Sequence, residues 1–164
     1  MNKTDIASYK NQIIRDILFN SDESLSADVV NAIDKNYFGN ESELIYQNIF
    51  PYLRIPETQT ETKCYITMSV DIPKVSTKNY FFKQIIITLN VIVHEDLMKM
   101  DDSYNSTRAD YIDKLLNKIF NGNENYGSNA LEYVSDVESV LLNKYFVRTL
   151  RYTCEDVNSE NCSM

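Results

Sequence analysis

Residues 79–94 constrain the fold more strongly than any other part of this chain. They form its longest run of β-branched and aromatic residues, which neither Gly nor Pro interrupts. With a period of two, one side of the run is almost entirely apolar, from Phe81 to Val93, whereas the other side is mixed. This pattern predicts a strand that is buried on one face and partly buried on the other, placed at the centre of a sheet.

Further strands are predicted on both sides of this run. Residues 62–72 alternate cleanly between apolar and polar, which is typical of a half-buried strand. The short link at 73–78 then predicts an antiparallel hairpin with the central strand. Residues 130–135 and 144–154 predict two more strands, and 136–143 are compatible with either a turn or a short helix.

Helices are predicted at four places. The clearest follows Thr107, which forms a capping-box pattern with Asp110, and it ends at Asn121-Gly122. At the N-terminus, helical spacing extends over residues 4–19. A second helix is expected to begin at Ser26 as N-cap, and a third, short one to run from Asn40 to Pro51.

This order of elements predicts an α+β fold. We expect a four-stranded mixed or antiparallel sheet with a long β-hairpin, helices packed on one face, and a helical N-terminal segment. A single domain is expected over residues 1–157, with its helical part at 4–50 and its sheet part at 60–157. The polar residues 158–164 are expected to form a flexible tail.

The charge of the chain is strongly acidic. With 16 Lys and Arg against 24 Asp and Glu, the formal net charge is −8, which argues against a protein that grips nucleic-acid phosphates. Cys64, Cys154 and Cys162 have no CxxC spacing, so reduced thiols in an intracellular protein are expected. No apolar run reaches the length of a membrane span and no secretory signal is evident, so no contact with a membrane is expected.

His94-Glu95-Asp96 is the one place in the sequence where a His adjoins carboxylates. Such a trio could bind a metal or transfer protons, but a metal site needs about three protein ligands and the chain has a single His. The acidic residues at 95–102 lack EF-hand spacing, and no G-x-S-x-G, G-x-G-x-x-G or P-loop pattern is present. We therefore predict no catalysis, no metal and no cofactor.

Two features suggest surfaces for protein interaction. The link that comprises Pro73, Lys74, Val75, Ser76, Thr77 and Lys78 carries two lysines on an acidic chain, so its tip is either a contact for an acidic neighbour or a solvated turn. Tyrosine is abundant at 12 residues. Tyr65, Tyr104 and Tyr126 are the candidate contacts, because Tyr is favoured at interfaces, although it is also an ordinary sheet residue.

The segments TKCYITMSVDI, YFFKQIIITLNVIVH, TRADYIDKLLNKIFNG and KYFVRTLRYTCED follow one another in an order that resembles the tail-terminator and tail-completion (neck) proteins of tailed bacteriophages. The resemblance covers roughly residues 60–157. The N-terminal third fits less well, because members of that family often begin with one helix. These segments form a pattern of elements, and they carry no catalytic residue.

The resemblance implies a structural virion protein that is made in the host cytoplasm. It implies a homo-oligomeric ring, typically a hexamer, between the head connector and the tail tube. DNA would pass through the channel without specific binding, and the acidic charge would keep it from adhering to the wall. Two alternatives remain open: an acidic inhibitor module that acts as a monomer or dimer on a basic partner, and a metal-dependent enzyme centred on His94.

Overall fold

The computed structural model describes residues 6–35, 37, 39–55, 61–73, 81–100 and 105–157. They form three α-helices and one five-stranded sheet in strand order β1-β2-β3-β5-β4. The helices are α1 (Ile6–Leu18), α2 (Glu23–Ile33) and α3 (Arg108–Phe120), and the strands are β1 (Ile49–Phe50), β2 (Cys64–Asp71), β3 (Phe82–His94), β4 (Glu132–Leu141) and β5 (Tyr145–Val157). Because β1 runs parallel to β2 and the other pairs are antiparallel, the sheet is mixed. The predicted α+β class is confirmed, with five strands instead of four.

The strand β3 lies at the centre of the sheet, as the sequence predicts. It pairs along its whole length with β5, from Phe82 opposite Val157 to His94 opposite Tyr145. On its other side it forms the predicted antiparallel hairpin with β2. Its apolar side is fully buried at Ile85, Ile87, Leu89, Val91 and Val93.

The helices cover one face of the sheet and complete the main core. Apolar residues at helical spacing on α1 and α3 join the buried side of β3 in one cluster. The capping of α3 agrees with the sequence prediction, since the Asp110 backbone N–H donates to Thr107 Oγ1 at 3.2 Å and Gly122 has a φ of +80°. The prediction that the helices lie on one face is therefore confirmed.

The opposite face of the sheet carries a second, smaller cluster. It is formed by Phe50, Tyr65, Ile92, Tyr145 and Val147. The strand β2 is buried on both faces from Cys64 to Met68, whereas Ser69 is partly buried and Asp71 is exposed. The prediction of a half-buried strand at 62–72 is therefore confirmed for the second half of β2 only.

Two predictions for the N-terminal third are wrong. The helix α2 begins one turn early because Asp22 accepts the free N–H groups of Ser24 and Leu25, whereas Ser26 is buried and its Oγ accepts the Asn20 N–H at 2.8 Å. The predicted third helix is only a 3-10 helix over Glu41–Leu44, followed by β1. Asn48 draws this segment to the sheet edge, because its carbonyl accepts the Ile66 N–H at 2.7 Å and its side chain donates to the Cys64 carbonyl at 2.9 Å.

The strand β4 is longer than the sequence predicts. It includes residues 136–141, for which a turn or a short helix is expected from the local pattern. Pairing with β5 continues to Leu141 opposite Tyr145, with an irregularity between Tyr133 and Ser135. The ladder with a neighbouring strand therefore overrides a polar local sequence.

Two of the cysteines lie in strands and are buried, as expected for residues that pack as small hydrophobes. Burial raises the pKa of the Cys64 thiol to about 12, against a smaller opposing effect of the Arg108 charge. Cys64 is therefore a neutral thiol at physiological pH. The third cysteine, Cys162, lies outside the described residues.

A buried carboxylate links α1 to the loop after α3. Asp16 Oδ1 accepts the Gln12 side-chain amide at 2.8 Å, and its Oδ2 accepts the Asn123 amide at 3.1 Å and the Tyr126 hydroxyl at 2.8 Å. A buried charge is tolerated only when such donors replace its hydration. These bonds fix the loop against α1.

We expect Tyr126→Phe to lower the free energy of unfolding by about 1.5 to 3 kcal/mol, because it removes a donor to a buried carboxylate. Denaturation in urea, followed by circular dichroism, measures the change. Tyr133→Phe is the matched control, because the Tyr133 ring is exposed on β4. Equal stabilities of the two variants would contradict the role assigned to the Tyr126 hydroxyl.

Candidate functional site

The strand β4 forms one edge of the sheet and exposes a row of apolar side chains. Tyr133, Val134, Val137 and Val140 are between 46% and 57% exposed. Pairing with β5 places Val140 and Glu138 on the helix side and Val137 on the opposite side. A long edge strand with exposed apolar residues is a template for pairing with another chain. We call this surface the β4 edge.

The turn after β4 holds a bulky residue in an unfavourable backbone conformation. Leu142 and Asn143 have φ angles of +53° and +59°, and the Lys144 N–H donates to the Leu141 carbonyl at 3.3 Å. Positive φ at both central positions suits a tight hairpin, for which Asn and Gly are the usual residues. Leu142 is instead a strained and partly exposed leucine. Strain of this kind is found most often at functional positions.

The opposite sheet edge carries a second apolar surface, which we call the β1 edge. It consists of Tyr46 and the segment at 51–55, in which Tyr52, Leu53 and Ile55 are between 45% and 63% exposed. Tyr46 has a φ of +65°, so it is also a bulky, exposed residue in a strained conformation. Arg54 lies over the Phe50 ring, with its Cζ at 4.4 Å from the centroid.

The two edges are separated by the full width of the sheet. Four strand spacings of about 4.8 Å give roughly 19 Å between β1 and β4. One copy of the chain therefore does not bring these two surfaces into contact with each other.

The structure corrects the expectation that Tyr65 and Tyr126 are exposed. The Tyr65 ring packs on Phe50 at a centroid distance of 6.1 Å, and its hydroxyl donates to Glu61. Tyr126 is fully buried. The loop beside it is held against β5, because the Ser128 N–H donates to the Glu155 carbonyl at 2.8 Å. In this conformation neither ring offers a surface to another chain.

Most of the predicted basic link cannot be placed. Pro73 is exposed after the end of β2. Lys74, Val75, Ser76, Thr77 and Lys78 lie outside the described residues, and so does Tyr104. The interaction role of this link therefore stays a prediction.

A group of carboxylates surrounds Arg148 on the helix side of β4 and β5. Arg148 Nη2 lies 2.5 Å from Asp110 Oδ1 and 3.7 Å from Glu138 Oε2, and Nη1 lies 3.3 Å from Asp136 Oδ2. One guanidinium thus offsets several negative charges and ties α3 to both strands. Asp113 belongs to the same group and carries a buried oxygen with no hydrogen-bond partner among the described residues.

The environment of Asp113 favours its neutral form. Burial and then the charge of Asp136 raise its pKa from 3.8 to about 6, with a smaller contribution from Asp110. Arg148 opposes this rise. Asp113 is therefore a partly buried acid that gains its charge near pH 6, beside the β4 edge.

His94 serves a structural role at the end of β3. It is buried, its Nδ1 accepts the Asp96 N–H at 3.2 Å, and its ring packs edge-on against Tyr145 at a centroid distance of 5.1 Å. These contacts cap the 3-10 helix over Glu95–Leu97. Within the described part of the chain, no group of three or more His, Cys, Asp or Glu residues is arranged to hold a metal ion.

Arg108 lines two clefts. Their volumes are about 270 Å³ and 400 Å³. The Arg108 guanidinium links α2 to the segment after β3, because Nη1 donates to the Ala32 carbonyl at 2.5 Å and Nε donates to the Leu97 carbonyl at 2.8 Å.

None of the helices in the described segments has the length and apolar character needed to cross a membrane.

Comparison with known protein families identifies a match. The model of the YomW family matches residues 11–154, which is most of the chain. The chain belongs to the YomW family. This family carries the name of a protein of an SPbeta-type prophage, which fits a phage origin without pointing to tail termination. No curated protein matches the sequence.

We expect Asp113→Asn to stabilise this YomW-family protein by about 1 to 2 kcal/mol at pH 8. Since the folded-state pKa is raised, Asp113 contributes stability that is fully present below pH 3.8 and is lost as the pH rises through about 6. The gain from Asn should therefore shrink between pH 7 and pH 4. Urea denaturation across this range tests it, with the exposed Asp28→Asn as control. A gain that does not vary with pH would contradict the assignment.

We expect Leu142→Asn to raise the free energy of unfolding by about 0.5 to 1 kcal/mol, because Asn tolerates positive φ better than Leu. Thermal and urea denaturation of dilute protein measure the change. Leu53→Asn is the control, since Leu53 is exposed and is not among the described residues with positive φ. If the Leu142 variant is no more stable than the parent, the turn is not strained.

Proposed function

We propose that this YomW-family protein is a structural virion protein without enzymatic activity. It assembles into a ring, typically a hexamer, at the neck or tail end of a phage particle. The ring joins the head connector to the tail and leaves a channel for DNA. The observation that carries the proposal is the pair of exposed apolar surfaces, the β4 edge and the β1 edge, on opposite sides of one sheet.

Two different surfaces on opposite sides of a protomer favour head-to-tail association. Contacts of this kind close into a ring when the rotation between neighbours permits it, whereas a two-fold dimer uses the same surface twice. Exposed apolar residues on both surfaces provide the area that such contacts bury. The strained residues Tyr46 and Leu142, one at each edge, support a function for both surfaces.

The charge of the protein suits a channel for DNA. A net charge of −8 on each copy gives a ring a strongly negative field, which repels the phosphate backbone. DNA then passes without adhering to the wall. The phage-related family name and the order of the elements in residues 60–157 support the same assignment.

A second candidate function is an acidic module that blocks a basic partner as a monomer or dimer. The carboxylates of the β4 edge favour it, because Glu132 and Glu138 are exposed there and β4 has no basic residue. A stable one-to-one complex with a basic protein would identify this function, and a ring with a central hole would identify the first.

We expect the purified protein to form a closed ring with a central hole, seen by negative-stain imaging and by multi-angle light scattering. Val137→Glu should shift the population to monomers, because it places a charge on the β4 edge. Val157→Glu is the matched control, since Val157 is an exposed valine at the end of β5, beyond the residues that pair with β4. Monomers alone across a wide concentration range, with and without neighbouring virion proteins, would refute the ring.

A further inference from the structure

Arg108 is a partly buried cation with few partners. Within the described part of the chain, its guanidinium bonds to the carbonyls of Ala32 and Leu97 and forms no ion pair. A guanidinium has five N–H donors, so these two bonds leave three donors for another acceptor. Arg148, which is also partly buried, has three carboxylates around it. The described segments therefore give Arg148 anionic partners and give Arg108 none.

The smaller of the two clefts that Arg108 lines gathers further positive charge. It has a volume of about 270 Å³, and Lys35 and Lys99 line it together with Arg108. Asp28 is the one carboxylate among its described lining residues. Three cations against one carboxylate leave a surplus of two positive charges, although the formal net charge of the whole chain is −8. A local surplus of this kind attracts a small anion.

The smaller cleft also has the more rigid walls. The helices α2 and α3 provide most of its lining, and Asn31 and Tyr111 add an amide and a hydroxyl that can donate hydrogen bonds. The larger cleft, of about 400 Å³, is lined mainly by residues between helices and strands, such as Tyr37 and Thr62. Sites on helices hold their ligand groups more precisely than sites on loops, so the smaller cleft is the better candidate.

The charge and the donors of this cleft suit a phosphate group. A phosphate monoester carries close to two negative charges at neutral pH, which match the surplus, and it offers three acceptor oxygens. Arg binds two such oxygens through parallel N–H groups, and Lys adds a point charge. A long polyanion such as DNA would also meet the negative field of the rest of the protein. A small phosphorylated compound is therefore favoured.

We propose that the cleft of about 270 Å³ binds the phosphate group of a small compound, with Arg108, Lys35 and Lys99 as its cationic ligands. The bonds of Arg108 to Ala32 and Leu97 hold the plane of the guanidinium, so that its remaining N–H groups are oriented before the ligand arrives. This site goes beyond the proposed ring and does not depend on it.

Isothermal titration calorimetry with pyrophosphate and with inorganic phosphate, at physiological ionic strength, tests the site. We expect one pyrophosphate per chain, and we expect the double variant Lys35→Gln, Lys99→Gln to weaken its binding about tenfold, because two of three cations are removed. Both lysines are exposed, so the variant should fold like the parent, which circular dichroism checks.

Lys118→Gln is the matched control. Lys118 is an exposed lysine in the last turn of α3, about 15 Å along the helix from Arg108. This separation exceeds the electrostatic screening length of about 8 Å, so the affinity for pyrophosphate should stay unchanged.

Four outcomes would overturn the inference. The first is no binding of pyrophosphate at millimolar concentration. The second is a loss of affinity in Lys118→Gln as large as in the double variant, which would mean non-specific attraction. The third is a larger loss in Lys63→Gln than in Lys99→Gln, since Lys63 lines the larger cleft. The fourth is a DNA duplex that binds through Lys35 and Lys99 more tightly than pyrophosphate does, which would assign the cleft to nucleic acid.

Discussion

The structure depends on the burial of β3 between two antiparallel neighbours. Because β2 and β5 satisfy its backbone on both sides, its side chains can be almost entirely apolar on the helix face and mixed on the other. The helices then need only one apolar stripe each to complete the core. Every other surface, including both sheet edges, is positioned by this strand.

An acidic chain also needs partners for the carboxylates that its fold buries or brings close together. Asp16 is buried with three donors, and Arg148 offsets the carboxylates of Asp110, Asp136 and Glu138. Asp113 lies in the same group, where burial and then the charge of Asp136 raise its pKa. Within the described segments, a few well-placed donors thus accommodate these acidic side chains.

Sequence periodicity predicts the central strand, its hairpin with β2, the helix α3 and the fold class, because each depends on a local pattern with a clear period. It fails where long-range pairing decides the structure. The helical spacing of Leu44, Ile45 and Ile49 does not reveal that Asn48 bonds to β2, and the polar residues after Ser135 do not reveal a strand that β5 holds in place.

The candidate site was predicted less well than the fold. Tyrosine abundance pointed to Tyr65 and Tyr126, but composition does not tell a buried ring from an exposed one. The β4 edge follows from the strand order, which no local pattern contains. One signal is present in the sequence: PYLRI, which begins with Pro51 and precedes Pro56, carries three large apolar residues in an extended connection.

The burial of Cys64 has a consequence for the chemical stability of the core. Oxidation and disulfide exchange of a cysteine both proceed through its thiolate form. Because burial raises the pKa of the Cys64 thiol to about 12, almost no thiolate is present at physiological pH. Its sulfur should therefore stay in its reduced state without protection by glutathione. The core around Cys64 should therefore stay chemically intact under oxidising conditions.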